Sequence, residues 1–158
     1  MRYGAGTWLG LAADKLMDED VYPVCSPRLL QSTRPVERAG RSRARNADPR
    51  SVGGQPRGFA TWDAWFKHAG AGGVTPHRGL KINNSAAVLQ ATIDGNGIAL
   101  ARSVVAADDI ATGRLVRLFP ALSFKSTLAY YVVYRPECLA LPRLAAFREW
   151  LLKEARTQ

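Results

Sequence analysis

The chain has 158 residues, of which 47% are hydrophobic and 22% charged, with a formal net charge of +9. That length allows one globular domain with a real core, and no apolar run approaches the thickness of a bilayer, so a soluble protein with no membrane partner is expected. Met1-Arg2-Tyr3-Gly4-Ala5-Gly6 lacks the apolar middle of a secretory signal, and Cys25 and Cys138 sit far apart without metal-ligand spacing; a cytoplasmic chain with reduced thiols, no metal and no cofactor is the expectation.

Residues 9–17 alternate loosely and residues 21–25 form a short apolar run, so both read as strands with Asp18-Glu19-Asp20 as the turn between them and Pro27 as a stop. From residue 33 to 57 the periodicity vanishes. This stretch carries seven arginines against Glu37 and Asp48, a net of +5, and its only large aliphatics are Val36 and Val52. It reads as loop or disorder, because it has too little to bury to offset the cost of ordering it. The basicity of the chain is thus one segment and not a property of the fold.

Order returns at Thr61, an N-cap for a short helix that runs through His68 and ends at Gly70. Residues 80–82 suggest a strand. Asn83, Asn84 and Ser85 then cap a helix whose inner stripe is Val88, Leu89, Thr92 and Ile93, closed by Gly95 and Gly97. Residues 98–100 read as a buried strand, Ser103 as the cap of a helix closed by Gly113, and residues 115–118 as another strand. Residues 128–134 hold no charge, which suggests a central strand covered on both faces. Pro142 opens the last helix, with Leu144, Phe147 and Leu151 expected inward. Strands alternating with helices give an α/β class with some parallel pairing.

The motifs Arg2-Tyr3-Gly4-x-Gly6-x-Trp8-x-Gly10-Leu11 and Val21-Tyr22-Pro23-Val24-Cys25-Ser26-Pro27 resemble the effector-binding domain of LysR-type transcriptional regulators, in the glycine-cleavage-activator-like branch. Trp62-x-x-Trp65-Phe66, Leu89-Gln90-Ala91-x-Ile93-x-Gly95-x-Gly97-Ile98, Gly113-Arg114-Leu115-Val116 and Tyr130-Tyr131-Val132-Val133 continue the match in order.

The resemblance implies a fold similar to type 2 periplasmic binding proteins: two α/β lobes joined by two crossing strands, with the ligand in the cleft. Residues 21–27 would be the first crossing and 117–124 the second. Residues 21–124 would then form a complete second lobe, and residues 1–20 and 125–158 only part of the first. The DNA-binding helix-turn-helix would be absent, making this an N-terminally truncated fragment. With the first lobe partial, the strand at 128–134 and the last helix are expected to lose neighbours, Phe147 and Leu151 among them. The implied function is small-molecule effector sensing, the effector being an amino acid or other carboxylate. In the intact family the regulator is a homo-oligomer that binds DNA through the helix-turn-helix.

Asn83, Asn84 and Ser85 are the first candidates for ligand contact. They stand at a helix N-terminus, where free N–H groups and the helix dipole favour a carboxylate. Capping alone explains the same residues. Tyr3 and Trp8 are candidates for aromatic pocket lining, with core packing as the competing role for one of them. Trp62 and Trp65 lie three apart on one helix face, and burial is favoured over stacking on nucleic acid.

No nucleophile, base and orienting group come together around Cys25, His68 or His77, so no enzyme is expected. The arginine-rich segment admits three readings: phosphate binding, a solvated loop, and an aberrant stretch produced by paired frameshifts. A transport-system solute-binding domain and a basic nucleic-acid-binding protein are the alternative functions.

Overall fold

The computed structural model describes residues 1–32, 60–71 and 84–156. The expected loop at 33–57 and strand at 80–82 lie outside these. Two compact units are formed, Met1–Glu19 with Lys125–Gln158, and Asp20–Phe124.

The first unit is built on a three-stranded antiparallel sheet of order β1 (Arg2–Gly4), β7 (Ala129–Tyr134), β2 (Ala12–Met17). Tyr3 pairs with Tyr130 and Ala13 with Val133, and the register shifts between Lys15 and Met17. β7 is central, as its uncharged sequence suggests. Its cover is uneven, since Leu128, Ala129 and Tyr130 are buried whereas residues 131–134 are only half-buried. β2 is shorter than the expected 9–17, because the chain turns at Gly10 (φ +71°) and leaves Leu9 fully exposed.

A short 3₁₀ turn (Pro136–Ala140) leads to α5 (Pro142–Glu154), with Pro142 in its first turn. The expectation that Leu144 and Phe147 point inward is corrected: they are 44% and 55% exposed. Arg148 is the reason. Its guanidinium reaches Asp14 on β2 at 2.6 Å. That anchor turns the arc of Ala145, Arg148, Leu151, Leu152 and Ala155 toward partial burial, and rotates 144 and 147 outward.

The second unit centres on β3 (Asp20–Cys25), flanked by β4 (Ala99–Arg102) and β5 (Val116–Arg117), with β6 (Phe124–Lys125) also pairing β3. The registered ladders β3–β4 and β3–β5 are antiparallel, as are both in the first unit, so the parallel pairing expected from strand–helix alternation is not found among them. Alternation sets the layers, but the direction in which the chain re-enters a sheet depends on the connections.

All of residues 21–25 are buried. Tyr22 and Val24 face one cluster with Leu89, Ala101, Ala106 and Leu115. Cys25 faces the other way, against Trp62, Trp65, Phe66 and Ile98, as the two-residue period of a strand requires.

The helices show how locally each end is specified. α2 (Trp62–His68) is capped by Thr61, whose Oγ1 accepts from the Ala64 amide at 3.2 Å. Trp62 and Trp65 are both buried, their rings edge to face at 6.1 Å, so neither serves as a stacking platform. α3 (Ser85–Ile93) buries Leu89 and Thr92, the core of the expected stripe.

Two expectations change. Pro27 ends β3 and also begins a helix, α1 (Pro27–Ser32), since its fixed φ suits a first helical turn. Ser103 is the first residue of α4 (Ser103–Ala111) and not its cap; Arg102 holds the cap position without a side-chain hydrogen bond. The Ser103 hydroxyl instead accepts from the Asp20 amide at 3.0 Å, tying the helix start to the head of β3.

Candidate functional site

Asn84 has extended backbone angles (φ −119°, ψ 121°), and its Oδ1 accepts from the amides of Ala86 at 2.9 Å and Ala87 at 3.1 Å. Its carbonyl takes the Val88 amide at 3.0 Å. Capping therefore occupies two of the first-turn donors, and the Val88 amide makes the first bond of the helical ladder. Asn84 and Ser85 are exposed, so the Asn84 carboxamide N–H and the Ser85 hydroxyl stand at the positive end of the helix dipole. Such a pair suits a carboxylate. Asn83 lies outside the described residues.

Tyr3 and Trp8 belong to the first unit. Tyr3 is half-buried against Tyr130, with ring centroids 4.9 Å apart, and its hydroxyl lies 3.0 Å from Ser126 Oγ. Ser126 Oγ also accepts from the Leu128 amide. Trp8 meets the edge of Tyr131 at 5.5 Å. Since Tyr130 and Tyr131 are successive residues of β7, they point to opposite faces of the sheet. Tyr3 and Trp8 therefore serve opposite faces, and they do not line one surface together.

The glycines of the same motif have a steric explanation. A Cβ on Gly4 would sit 2.9 Å from the Trp8 ring, and one on Gly6 would sit 2.8 Å from the Tyr131 hydroxyl oxygen. Gly6 also holds φ +89°, a left-handed conformation that side chains rarely adopt. Tyr3-Gly4-x-Gly6-x-Trp8 is thus a packing unit whose glycines leave room for two aromatic rings.

Sequence reasoning missed Ser126 and Tyr130 as the partners of Tyr3, because nothing in the uncharged run singles out one tyrosine. It also missed a cluster on the first unit. There Asp14 Oδ2 accepts from Tyr134 OH at 2.7 Å and from Arg148 Nε at 2.6 Å. The Arg148 hydrogen bond holds the Asp14 carboxyl below its ordinary value against the opposing pull of burial. The same carboxylate pushes the Tyr134 phenol up.

Burial raises the Cys25 thiol, the opposite of what a nucleophilic thiolate needs. His68 is exposed, its Nε2 3.0 Å from the Ser123 carbonyl; His77 lies outside the described residues. Among the described residues, no group of three or more His, Cys, Asp and Glu is placed to hold a metal ion. Nor is any helix among them long and apolar enough to cross a membrane.

The family model described as the LysR substrate binding domain matches residues 1–156. This chain belongs to that family. It is 34% identical over 160 residues to the glycine cleavage system transcriptional activator of Escherichia coli strain K12, a match that covers 99% of this chain and 49% of that protein. The HTH-type transcriptional activator AmpR of Citrobacter koseri is 26% identical over 158 residues, covering 98% of this chain and 50% of the relative. The chain thus spans about half the length of these curated relatives.

Among solved structures, the effector domain of AmpR from Pseudomonas aeruginosa aligns with TM-score 0.69 at 25% identity, over 99% of this chain and 70% of that one. The AmpR effector-binding domain of Citrobacter freundii aligns with TM-score 0.75 at 22% identity, over 99% and 74%. The α/β, periplasmic-binding-protein-like class of LysR effector domains is therefore the fold of this LysR-family chain.

Proposed function

We propose that this LysR-family chain is the small-molecule effector-sensing part of a transcriptional regulator. The observation that carries the reading is the family match across residues 1–156, supported by 34% identity to a transcriptional activator. In such a regulator, effector binding is coupled to DNA binding at a separate site, and the coupling acts in both directions. DNA contact falls to a helix-turn-helix, the intact parent is a homo-oligomer, and it works in the cytoplasm.

The two compact units, residues 20–124 and residues 1–19 with 125–158, support a division into two lobes. The effector is an amino acid or another small carboxylate, received at the start of α3 by Asn84 and Ser85. What supports this is the pairing of exposed donors with a helix N-terminus of nine residues.

A thermal-shift panel of amino acids and small carboxylates tests the reading. One or more should raise the melting temperature saturably, as any ligand specific to the folded state does. A panel in which only sugars or nucleotides give a saturable rise contradicts the carboxylate assignment.

A further inference from the structure

Trp65 of the second unit is 1% exposed, and a buried indole ordinarily finds an acceptor for its N–H. This one does not: Trp65 Nε1 is buried without a hydrogen-bond partner. The rings around it offer only carbon. Those of Trp62, Phe66 and Phe119 lie 6.1, 5.6 and 5.8 Å from its own, centroid to centroid. An indole nitrogen is a donor only, so an acceptor has to be brought to it.

Phe119 holds its place beside Trp65 in an unfavourable backbone conformation. Among the described residues it is the one non-glycine with positive φ, +52°. That conformation sets Cβ against the following carbonyl, and Pro120 next in the chain biases Phe119 further toward extended backbone. Burial of its ring in the cluster of Trp65, Phe66 and Ile98 is what holds it there.

The turn is pinned on both sides of this residue. The Leu118 amide donates to the Pro23 carbonyl at 2.8 Å, and Arg117 Nη2 donates to the Leu122 carbonyl at 2.9 Å. Between these anchors the Phe119 ring is only half-buried, and Pro120 and Ala121 are exposed. Withdrawal of the ring leaves both anchors in place, costs one turn bond from the Leu122 amide to the Phe119 carbonyl, and relaxes φ.

We propose that Phe119 is a displaceable plug over a binding site for a small aromatic molecule that carries a carbonyl acceptor. The ring of the guest replaces the Phe119 ring in the cluster, and its carbonyl oxygen accepts from Trp65 Nε1. The exchange conserves apolar burial, releases the backbone and satisfies the orphaned donor. It makes dominant a conformation that is minor in the free chain. The site lies within the second unit and does not depend on assigning a carboxylate to α3.

Titration of the full chain with acetophenone, followed by the assigned indole N–H signals of its four tryptophans, tests this. The Trp65 signal should move saturably at millimolar ligand. α-Methylstyrene has the same shape without the acceptor, and should bind about tenfold more weakly or worse, because the donor is left unpaired. Phe119→Gly removes both the plug and the constraint on φ, and should tighten acetophenone binding about tenfold, since the competent state no longer has to be populated at a cost.

A Trp65 signal that does not move saturably in the wild-type chain overturns the proposal. Binding confined to Phe119→Gly does the same, because the cavity would then be made by the substitution. Equal affinity for acetophenone and α-methylstyrene refutes the role of the indole donor.

Discussion

Asp14 and Arg148 stand 134 positions apart, yet the Oδ2 of one and the Nε of the other are 2.6 Å apart. Tyr134 donates to the same oxygen at 2.7 Å, and the Arg148 guanidinium lies 5.6 Å from its ring centroid. The carboxylate thus joins edge strand, central strand and last helix of the first unit.

Arg148→Met should loosen this attachment. The substitution keeps an apolar stem but removes both the charge and the fork. A partly exposed charge-assisted pair is worth about 1 kcal/mol, so a loss of that order is expected in chemical denaturation. The pH dependence follows from the direction of the Asp14 shift. Its carboxyl titrates lower in the folded chain than its ordinary 3.8, so the stabilisation is present above that value and lost as pH falls through the folded value. Wild type and Arg148→Met should therefore differ at neutral pH and converge as the pH falls below 3.8 and through the lowered folded value. Curves that stay parallel to the most acidic point would show that the pair contributes nothing.

Gly6 and Gly10 form a controlled pair. Both have positive φ, +89° and +71°. A Cβ at Gly10 meets nothing within 4 Å, whereas one at Gly6 strikes the Tyr131 hydroxyl. Gly10→Ala should cost only the left-handed penalty, about 1 kcal/mol, and Gly6→Ala about 2 to 3 kcal/mol once displacement of the ring is added. Equal melting temperatures for the two variants would contradict the packing account of the motif.

What the sequence disclosed and what it hid divide by range. Thr61 and Asn84 cap helices through bonds that close within three residues, and the small polar residue before an apolar stripe announces them. Ser103 carries the same local signature, yet its hydroxyl serves Asp20, 83 positions away. The stripe of α3 was legible because one face decides its burial. In α5 apolar residues surround much of the helix, and only the long-range anchor at Arg148 selects which arc turns inward. The candidate site follows the same rule: the helix end is readable, whereas the pairing of Tyr3 with Tyr130 and of Trp8 with Tyr131 emerges from strand register.

The chain should not discriminate promoter DNA. The matched family model is a substrate-binding domain, and α2, α3 and α4 direct side chains into the two clusters of the second unit. In gel shifts, binding that disappears with rising salt is compatible with a net charge of +9, since it needs only phosphate contacts. Sequence-specific retention at physiological salt would contradict the assignment of this chain to sensing alone.

Effector recognition at the start of α3 is tested most directly by isothermal titration of a carboxylate ligand from the panel into wild type and Asn84→Asp. Aspartate caps a helix as well as asparagine and favours the dipole, so the folded chain should be no less stable. It replaces the carboxamide donor with a negative charge facing the ligand. The account predicts that wild type binds and that Asn84→Asp binds about a hundredfold more weakly, the scale of a lost charge-assisted hydrogen bond plus like-charge repulsion. Equal affinity in the two proteins would contradict it.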